Sequence, residues 1–208
     1  MNCPLCKNNN LEDIQSLDQK QYFKCLNCYL IFQEKNFHLS KIEEKKRYKF
    51  HQNSIEDKDY VKFLNQAISP SLKYLNSKMV GLDFGCGPSP TLSKILEIKN
   101  INCLNYDLYF YPEFPKNKFD FIFSTECFEH FRSPNQEINK ILSLLNKSGL
   151  LIVMTSMWNE NIDFKNWYYI KDPTHIAFYH KKTFELITNR YSLEILEITE
   201  KVVILKFI

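Results

Sequence analysis

With 208 residues, 44% of them hydrophobic and 15% aromatic, the chain has material for one full domain plus a small appendage. No stretch approaches the ~18 uninterrupted apolar residues of a membrane span, and Met1-Asn2-Cys3-Pro4 does not read as a signal peptide. A net charge of +3 is too small to imply a polyanionic partner, and seven cysteines, an odd number, point to a reducing cytoplasm rather than a disulfide framework.

The chain opens with two Cys-x-x-Cys pairs, Cys3/Cys6 and Cys25/Cys28. Four thiolates at this spacing can close a tetrahedron around zinc, and a closed site with no open position is structural rather than catalytic. The strand-like runs Gln21–Lys24 and Tyr29–Phe32 predict a small zinc ribbon over residues 1–39. Lys7 and Tyr29 stand where such turns usually carry glycine. A helical connector is expected over 40–78, densely charged in Lys41-Ile42-Glu43-Glu44-Lys45-Lys46-Arg47-Tyr48, amphipathic from Asp59 and interrupted at Pro70.

From Met79 onward strand and helix signals alternate, predicting an α/β domain with a parallel sheet over 79–208. Of the chain's four glycines, three fall in the run Val80-Gly81-Leu82-Asp83-Phe84-Gly85-Cys86-Gly87. An apolar strand that enters Gly-Cys-Gly ahead of a helix at Thr91–Ile98 has the layout of a nucleotide-type ligand loop. The nicotinamide fingerprint would require a third glycine where Pro90 stands. A carboxylate just before the glycines, Asp83, suits a ligand bearing an ammonium group, as S-adenosylmethionine does.

Strand two, Asn102–Tyr106, ends at Asp107, placed about 20 residues after the glycines where a carboxylate would hold a ribose diol. The gap from Leu108 to Lys118 is too short for a crossover helix and another strand, so one edge strand should be missing. Strand Phe119–Phe123 ends in Ser124-Thr125-Glu126, candidate cofactor contacts at a strand's carboxyl end. Ser133-Pro134-Asn135-Gln136 predicts a capping box opening a helix to about Asn146, then a turn at Gly149 and a buried strand Leu150–Thr155. Leu193–Ile198 and Val202–Phe207 read as a closing antiparallel hairpin.

Leu82-Asp83-Phe84-Gly85-Cys86-Gly87, Asp107, Phe119-Asp120-Phe121-Ile122 and Gly149-Leu150-Leu151-Ile152 together resemble the class I S-adenosylmethionine-dependent methyltransferases over about residues 79–208. More narrowly, Glu44–Asn53 and Trp167–His175 look like stretches of bacterial methyltransferases that carry an N-terminal zinc ribbon. The resemblance implies a Rossmann-like sheet. It assigns Asp83, Gly85, Cys86 and Gly87 to the methionine end of the cofactor and Asp107 to the ribose, with the adjacent Leu108 a further candidate contact. Ser89 departs from the third glycine common in that family. Tyr48, His51 and Asn53, ahead of the first strand, would cap the cofactor.

Methyl transfer from a sulfonium is an in-line displacement in which alignment does much of the work, so the acceptor half leaves a weaker signature. The aromatic-rich segment from Trp158 to His180 follows a strand's carboxyl end and should overhang the crevice. Trp167, Tyr168, Asp172 and Tyr179 are the candidate acceptor contacts. His175 is the candidate general base, oriented by Asp172 or Tyr179, with His130 second. A small-molecule acceptor is the leading reading. An RNA acceptor bound through the ribbon is the alternative, and a non-catalytic binding module the third.

Overall fold

The computed structural model describes residues 1–15, 20–50 and 54–208. At the N-terminus β1 (Leu11–Gln15), β2 (Gln21–Cys25) and β3 (Ile31–Gln33) form an antiparallel meander. Strand β1 escapes the sequence pattern because Glu12, Asp13 and Gln15 give it no apolar run. Lys7 and Tyr29 adopt φ values of 66° and 61°, so the turn after each Cys pair takes the left-handed form without glycine. That conformation costs a side-chain-bearing residue roughly 1–2 kcal/mol, which the surrounding turns must offset.

Helix α1 (Lys41–Tyr48) starts with a capping box between Ser40 and Glu43, and none of its residues is buried. Helix α2 (Lys58–Ser71) is capped by Asp57, whose carboxylate accepts from the amides of Asp59 and Tyr60. Pro70 lies inside the last turn of α2 instead of interrupting it.

The main sheet comprises β4 (Val80–Phe84), β5 (Asn102–Tyr106), β6 (Phe119–Thr125), β7 (Leu145–Met154), β9 (Leu193–Ile198) and β10 (Val202–Phe207), with β8 (Ala177–Phe178) lying elsewhere. Its order is β5-β4-β6-β7-β10-β9: the first four are parallel, β10 is antiparallel to β7, and β9 is antiparallel to β10. Helices α3 (Thr91–Ile98), α4 (Pro134–Ser143) and α5 (Lys181–Tyr191) complete it. Strand β5 is the sheet's edge, and Leu108–Lys118 form neither helix nor strand beyond a bridge between Asp107 and Tyr111.

Two local expectations differ, and one helix carries no clear sequence signal. Ser133 is the N-cap of α4 but its side chain makes no cap hydrogen bond. Strand β7 begins at Leu145, and Gly149 sits within an irregularity opposite Phe119 and Phe121, where a Cβ would come 2.8 Å from the Asn146 carbonyl oxygen. Helix α5, whose buried residues include Thr183 and Thr188 beside Phe184 and Ile187, has too polar a buried stripe to stand out in the sequence.

Alternation along the strands divides the core. Leu82, Phe84, Ile122, Leu151 and Val203 pack with Ile138 and Ile141 of α4 and Phe184 and Ile187 of α5. Phe121, Phe123, Ile152, Met154 and Ile204 pack with Leu64 and Ile68 of α2 and Leu92 and Leu96 of α3. The N-terminal meander belongs to the first of these layers, because Leu5, Leu30 and Phe32 share its cluster. Ala177 and Phe178 of β8 add a fourth strand to the small sheet by pairing with Phe32 and Ile31. Asn135 and Arg190 both donate to the Leu5 carbonyl, at 3.1 and 3.0 Å. Among the described residues no helix is long and apolar enough to cross a membrane.

Candidate functional site

The carboxyl ends of β4, β5 and β6 open on a cavity of about 760 Å³, within the range of small-ligand sites. Asp83, Gly85, Cys86, Gly87, Asp107, Leu108, Thr125 and Glu126 all lie on its wall. Gly85 has φ +88°, and a Cβ there would come 2.5 Å from the Cys127 Sγ. Gly87 has φ +67° and open space where its Cβ would be, so bare backbone faces the cavity. Gly85→Ala is therefore expected to cost on the order of 1–3 kcal/mol of stability and to abolish cofactor binding. A thermal melt and a titration with S-adenosylhomocysteine check both, and an alanine variant that binds normally would show that the loop tolerates a side chain.

Asp83 is 2% exposed, and its Oδ1 has no hydrogen-bond partner. Burial, with the nearby Asp107 adding to it, pushes its carboxyl up to about 7. An acceptor so placed calls for a cationic donor. Asp107 Oδ1 accepts from the amides of Tyr109 (2.8 Å) and Phe110 (3.1 Å), while Oδ2 accepts from Gly87 (3.1 Å). This clamps the strand-end loop to the glycine loop, and a carboxylate's roughly four lone-pair sites leave capacity for a hydroxyl. An orphaned acid, a glycine cradle and a second acid across the cavity together fit a nucleoside that carries an ammonium group.

The opposite wall holds the sequence-proposed His130, His175, Tyr168 and Asp172. His175 Nδ1 donates to the Tyr169 carbonyl at 2.7 Å, and His130 Nδ1 to the Thr174 carbonyl at 2.9 Å. Backbone thus orients His175, not Asp172 or Tyr179, and burial pushes its imidazole below the ordinary value. Asp172 instead accepts both arms of the Arg47 guanidinium at 3.0 Å. Burial opposes ionisation there, yet Arg47 and Thr174 hold the carboxyl well below its usual range.

Two proposed contacts are not brought to the cavity. Tyr179 is fully buried and donates to the Phe128 carbonyl at 3.2 Å. Trp167 packs with Tyr22, Ile31, Trp158 and Phe178 behind the small sheet. Both are consumed by the core that joins the meander to the main sheet. Of the proposed cap, Tyr48 lines the cavity, whereas His51 and Asn53 lie outside the described residues.

Sequence reasoning missed Glu129 and Tyr169. The Tyr169 hydroxyl reaches Glu129 Oε1 at 2.7 Å and Glu126 Oε2 at 3.2 Å, and Thr155 donates to Glu129 Oε2 at 2.9 Å. Burial and the neighbouring Glu129 push the Glu126 carboxyl up to about 9. Glu126 also sits at φ +47°, a conformation rare outside glycine. Glu44 was likewise unassigned. It accepts from Tyr48 (3.0 Å), Tyr109 (3.1 Å) and Arg132 (3.0 Å), fastening α1 over the cavity mouth.

Outside the cavity lining, Cys3, Cys6, Cys25 and Cys28 bring their sulfurs within 4.8 Å of one another. Cys3–Cys28 and Cys6–Cys25 are each 3.5 Å apart. A zinc ion with bonds of about 2.3 Å sets a tetrahedral edge of about 3.8 Å, so the cluster fits with changes in sulfur separation of up to about an ångström. Four thiols this close cannot all ionise unaided: contact with Cys3, then burial, pushes Cys28 well above the thiol range.

A parallel sheet extended by an antiparallel pair, with its ligand loop after the first strand and an acid at the end of the second, defines a class I S-adenosylmethionine-dependent methyltransferase fold. The chain belongs to the methyltransferase-domain family, whose model matches residues 55–198. No curated protein matches it. Similar solved structures include a chain from the complex between the Haloferax volcanii Trm112 methyltransferase activator and its candidate methyltransferase (TM-score 0.53, 12% identity, covering 79% of this chain and 97% of that one). LaPhzM aligns with TM-score 0.52 and 13% identity over 72% of this chain and 55% of its own. An O-methyltransferase family protein from Burkholderia thailandensis aligns with TM-score 0.51 and 11% identity over 79% and 62%. The chain spans half the length of coclaurine N-methyltransferase and under two thirds of these last two. At such identities the likeness is one of fold.

Proposed function

We propose that the protein transfers the methyl group of S-adenosylmethionine to a small-molecule acceptor in the cavity beside His175, and that the four cysteines hold a structural zinc ion. The observation that carries this reading is the partnerless Asp83 Oδ1 on the floor of a glycine-lined cavity. When bound, the cofactor supplies an electrophilic methyl group on a sulfonium. Gly85, Cys86 and Gly87 hold its methionine end against Asp83, Asp107 with Leu108 takes the ribose, and Thr125 and Glu126 line the remaining wall. His175 takes up the acceptor's proton at Nε2, since Nδ1 is committed to the Tyr169 carbonyl. Tyr168 and Asp172 border the acceptor.

A roof made by α1, through Arg47–Asp172 and Glu44–Arg132, favours a small acceptor over a polymer. Holding donor and acceptor in line can supply up to ~7–11 kcal/mol. The odd cysteine count fits a cytoplasmic enzyme. Methyl-labelled S-adenosylmethionine added to a fractionated cell lysate is the test, with Asp107→Ala as control. Label should appear in the small-molecule fraction and vanish with the variant. Label in acid-precipitable material that ribonuclease removes would instead identify an RNA enzyme, and absence of S-adenosylhomocysteine binding would leave only a binding module.

A further inference from the structure

The acceptor wall gathers more chemistry than a general base needs. We propose that Glu129, His130 and His175 bind a divalent cation, with Glu126 beside it, and that this cation receives an acceptor hydroxyl. One ligating atom from each of the three residues lies within 4.8 Å of the others, and His130 Nε2 stands 4.0 Å from Glu129 Oε1. Metal bonds of about 2.0–2.2 Å require ligand separations near 3–3.6 Å, a contraction that rotation of the two imidazoles, each held by one hydrogen bond, can supply towards a fixed Glu129.

Three features prepare the group for a metal. The imidazole Nδ1 atoms of His130 and His175 each face a backbone carbonyl, which can only accept, so each carries its hydrogen there. That leaves Nε2 as the ligating nitrogen, the arrangement by which proteins fix metal-binding histidines. Glu129 is immobilised by Thr155 and Tyr169. Finally, Tyr169 has a single hydroxyl hydrogen for two buried carboxylates, Glu129 and Glu126, so the pair needs a shared proton or a cation. His130, His175 and Glu126 line the cavity, which leaves open coordination positions on the acceptor side.

Two imidazoles with carboxylate oxygens suit Mn²⁺, Fe²⁺ or Zn²⁺ better than an all-oxygen ion such as Ca²⁺. A cation there acidifies a coordinated hydroxyl. With His175 Nε2 on the cation, the metal replaces the imidazole as the group that activates the hydroxyl: its proton leaves to water, the oxygen forms the new C–O bond as the cofactor's C–S bond breaks, and the sulfonium departs as a neutral thioether. The acceptor class is therefore an alcohol or phenol.

This chemistry rests on the methyltransferase reading, but metal binding is measurable without methyl transfer. Mn²⁺ titrated into the intact protein and followed by paramagnetic resonance should show one site per chain, because soft thiols compete poorly for this ion. His175→Ala and Glu129→Gln should each weaken it at least ~10-fold. S-adenosylhomocysteine binding and the thermal melt, recorded on the same samples, establish that each variant is folded; should Glu129→Gln fail to fold, His175→Ala carries the comparison. No stoichiometric Mn²⁺ in wild type, or equal affinity in a folded variant, overturns the inference. Mn²⁺ binding without S-adenosylhomocysteine binding would sink the methyltransferase reading and leave the metal site standing.

Discussion

Asp83→Asn is expected to lose S-adenosylhomocysteine binding while melting at a higher temperature than wild type in ligand-free protein at pH 8. The carboxyl titrates at about 7 in the fold against an ordinary 3.8, because burial and Asp107 both disfavour its charge. The folded state therefore holds an extra proton between those values. The stability this gives is full below the unfolded pKa and is lost as pH rises from about 4 to about 7. Above that window the ionised, partnerless acid costs on the order of 4 kcal/mol. Asparagine is spared the charge but brings amide donors into a site that offers them no partner, a penalty of about 1–3 kcal/mol. The net gain of about 1–3 kcal/mol corresponds to roughly 2–12 degrees in a chain of this length.

The same arithmetic gives wild-type binding a pH dependence. The ligand's ammonium needs the ionised carboxylate, so affinity should fall by up to about tenfold per pH unit below 7 and flatten above it. Calorimetric titrations at pH 6 and pH 8, with melts of both proteins, check the whole set. An asparagine variant that binds like wild type, or melts lower at pH 8, would remove Asp83 from the cofactor site.

What could be read in advance follows from the range of the interactions. The loop from Gly81 to Gly87, Asp83 and Asp107 were legible because strand, turn and strand-end acid are fixed by short spacings. The missing edge strand followed from a gap too short to contain it. Glu129 was invisible because its role depends on Tyr169, forty positions away. Strand β8 is two residues long, and its partner Ile31 is nearly a whole domain earlier. The aromatic segment misled for a related reason. Trp167 and Tyr179 read as acceptor contacts only while the meander's need for a core is unseen, and Tyr22, Ile31 and Leu30 supply that need. Ser133 shows the limit of local rules, since its N-cap position holds while the side-chain bond does not form.

The second large effect is expected at the cysteines. Removing the zinc ion that we propose there, by chelation or by Cys28→Ser, should unfold the whole protein and not the first 39 residues alone. Cys3, Cys25 and Cys28 are fully buried in the same apolar cluster as Phe128, Phe184 and Ile187. Strand β3 holds β8, and Leu5 anchors side chains from α4 and α5. Structural zinc contributes apparent binding energies of about 10–16 kcal/mol in small modules, as large as the ~5–15 kcal/mol net stability of a typical domain. Both tryptophans, Trp158 and Trp167, lie in the aromatic layer behind the small sheet, and Trp158 Nε1 donates to the Tyr29 carbonyl at 3.0 Å. Tryptophan fluorescence thus reports the ribbon side, while far-UV circular dichroism reports the helices of the main sheet. The two signals should melt together in the zinc-loaded protein and collapse together when metal is withdrawn, with one zinc per chain by elemental analysis. A chelated protein that loses only the fluorescence transition and still binds S-adenosylhomocysteine would mean that the ribbon is a separable module. The shared cluster around Leu30 and Phe184 would then contribute far less to stability than its burial implies.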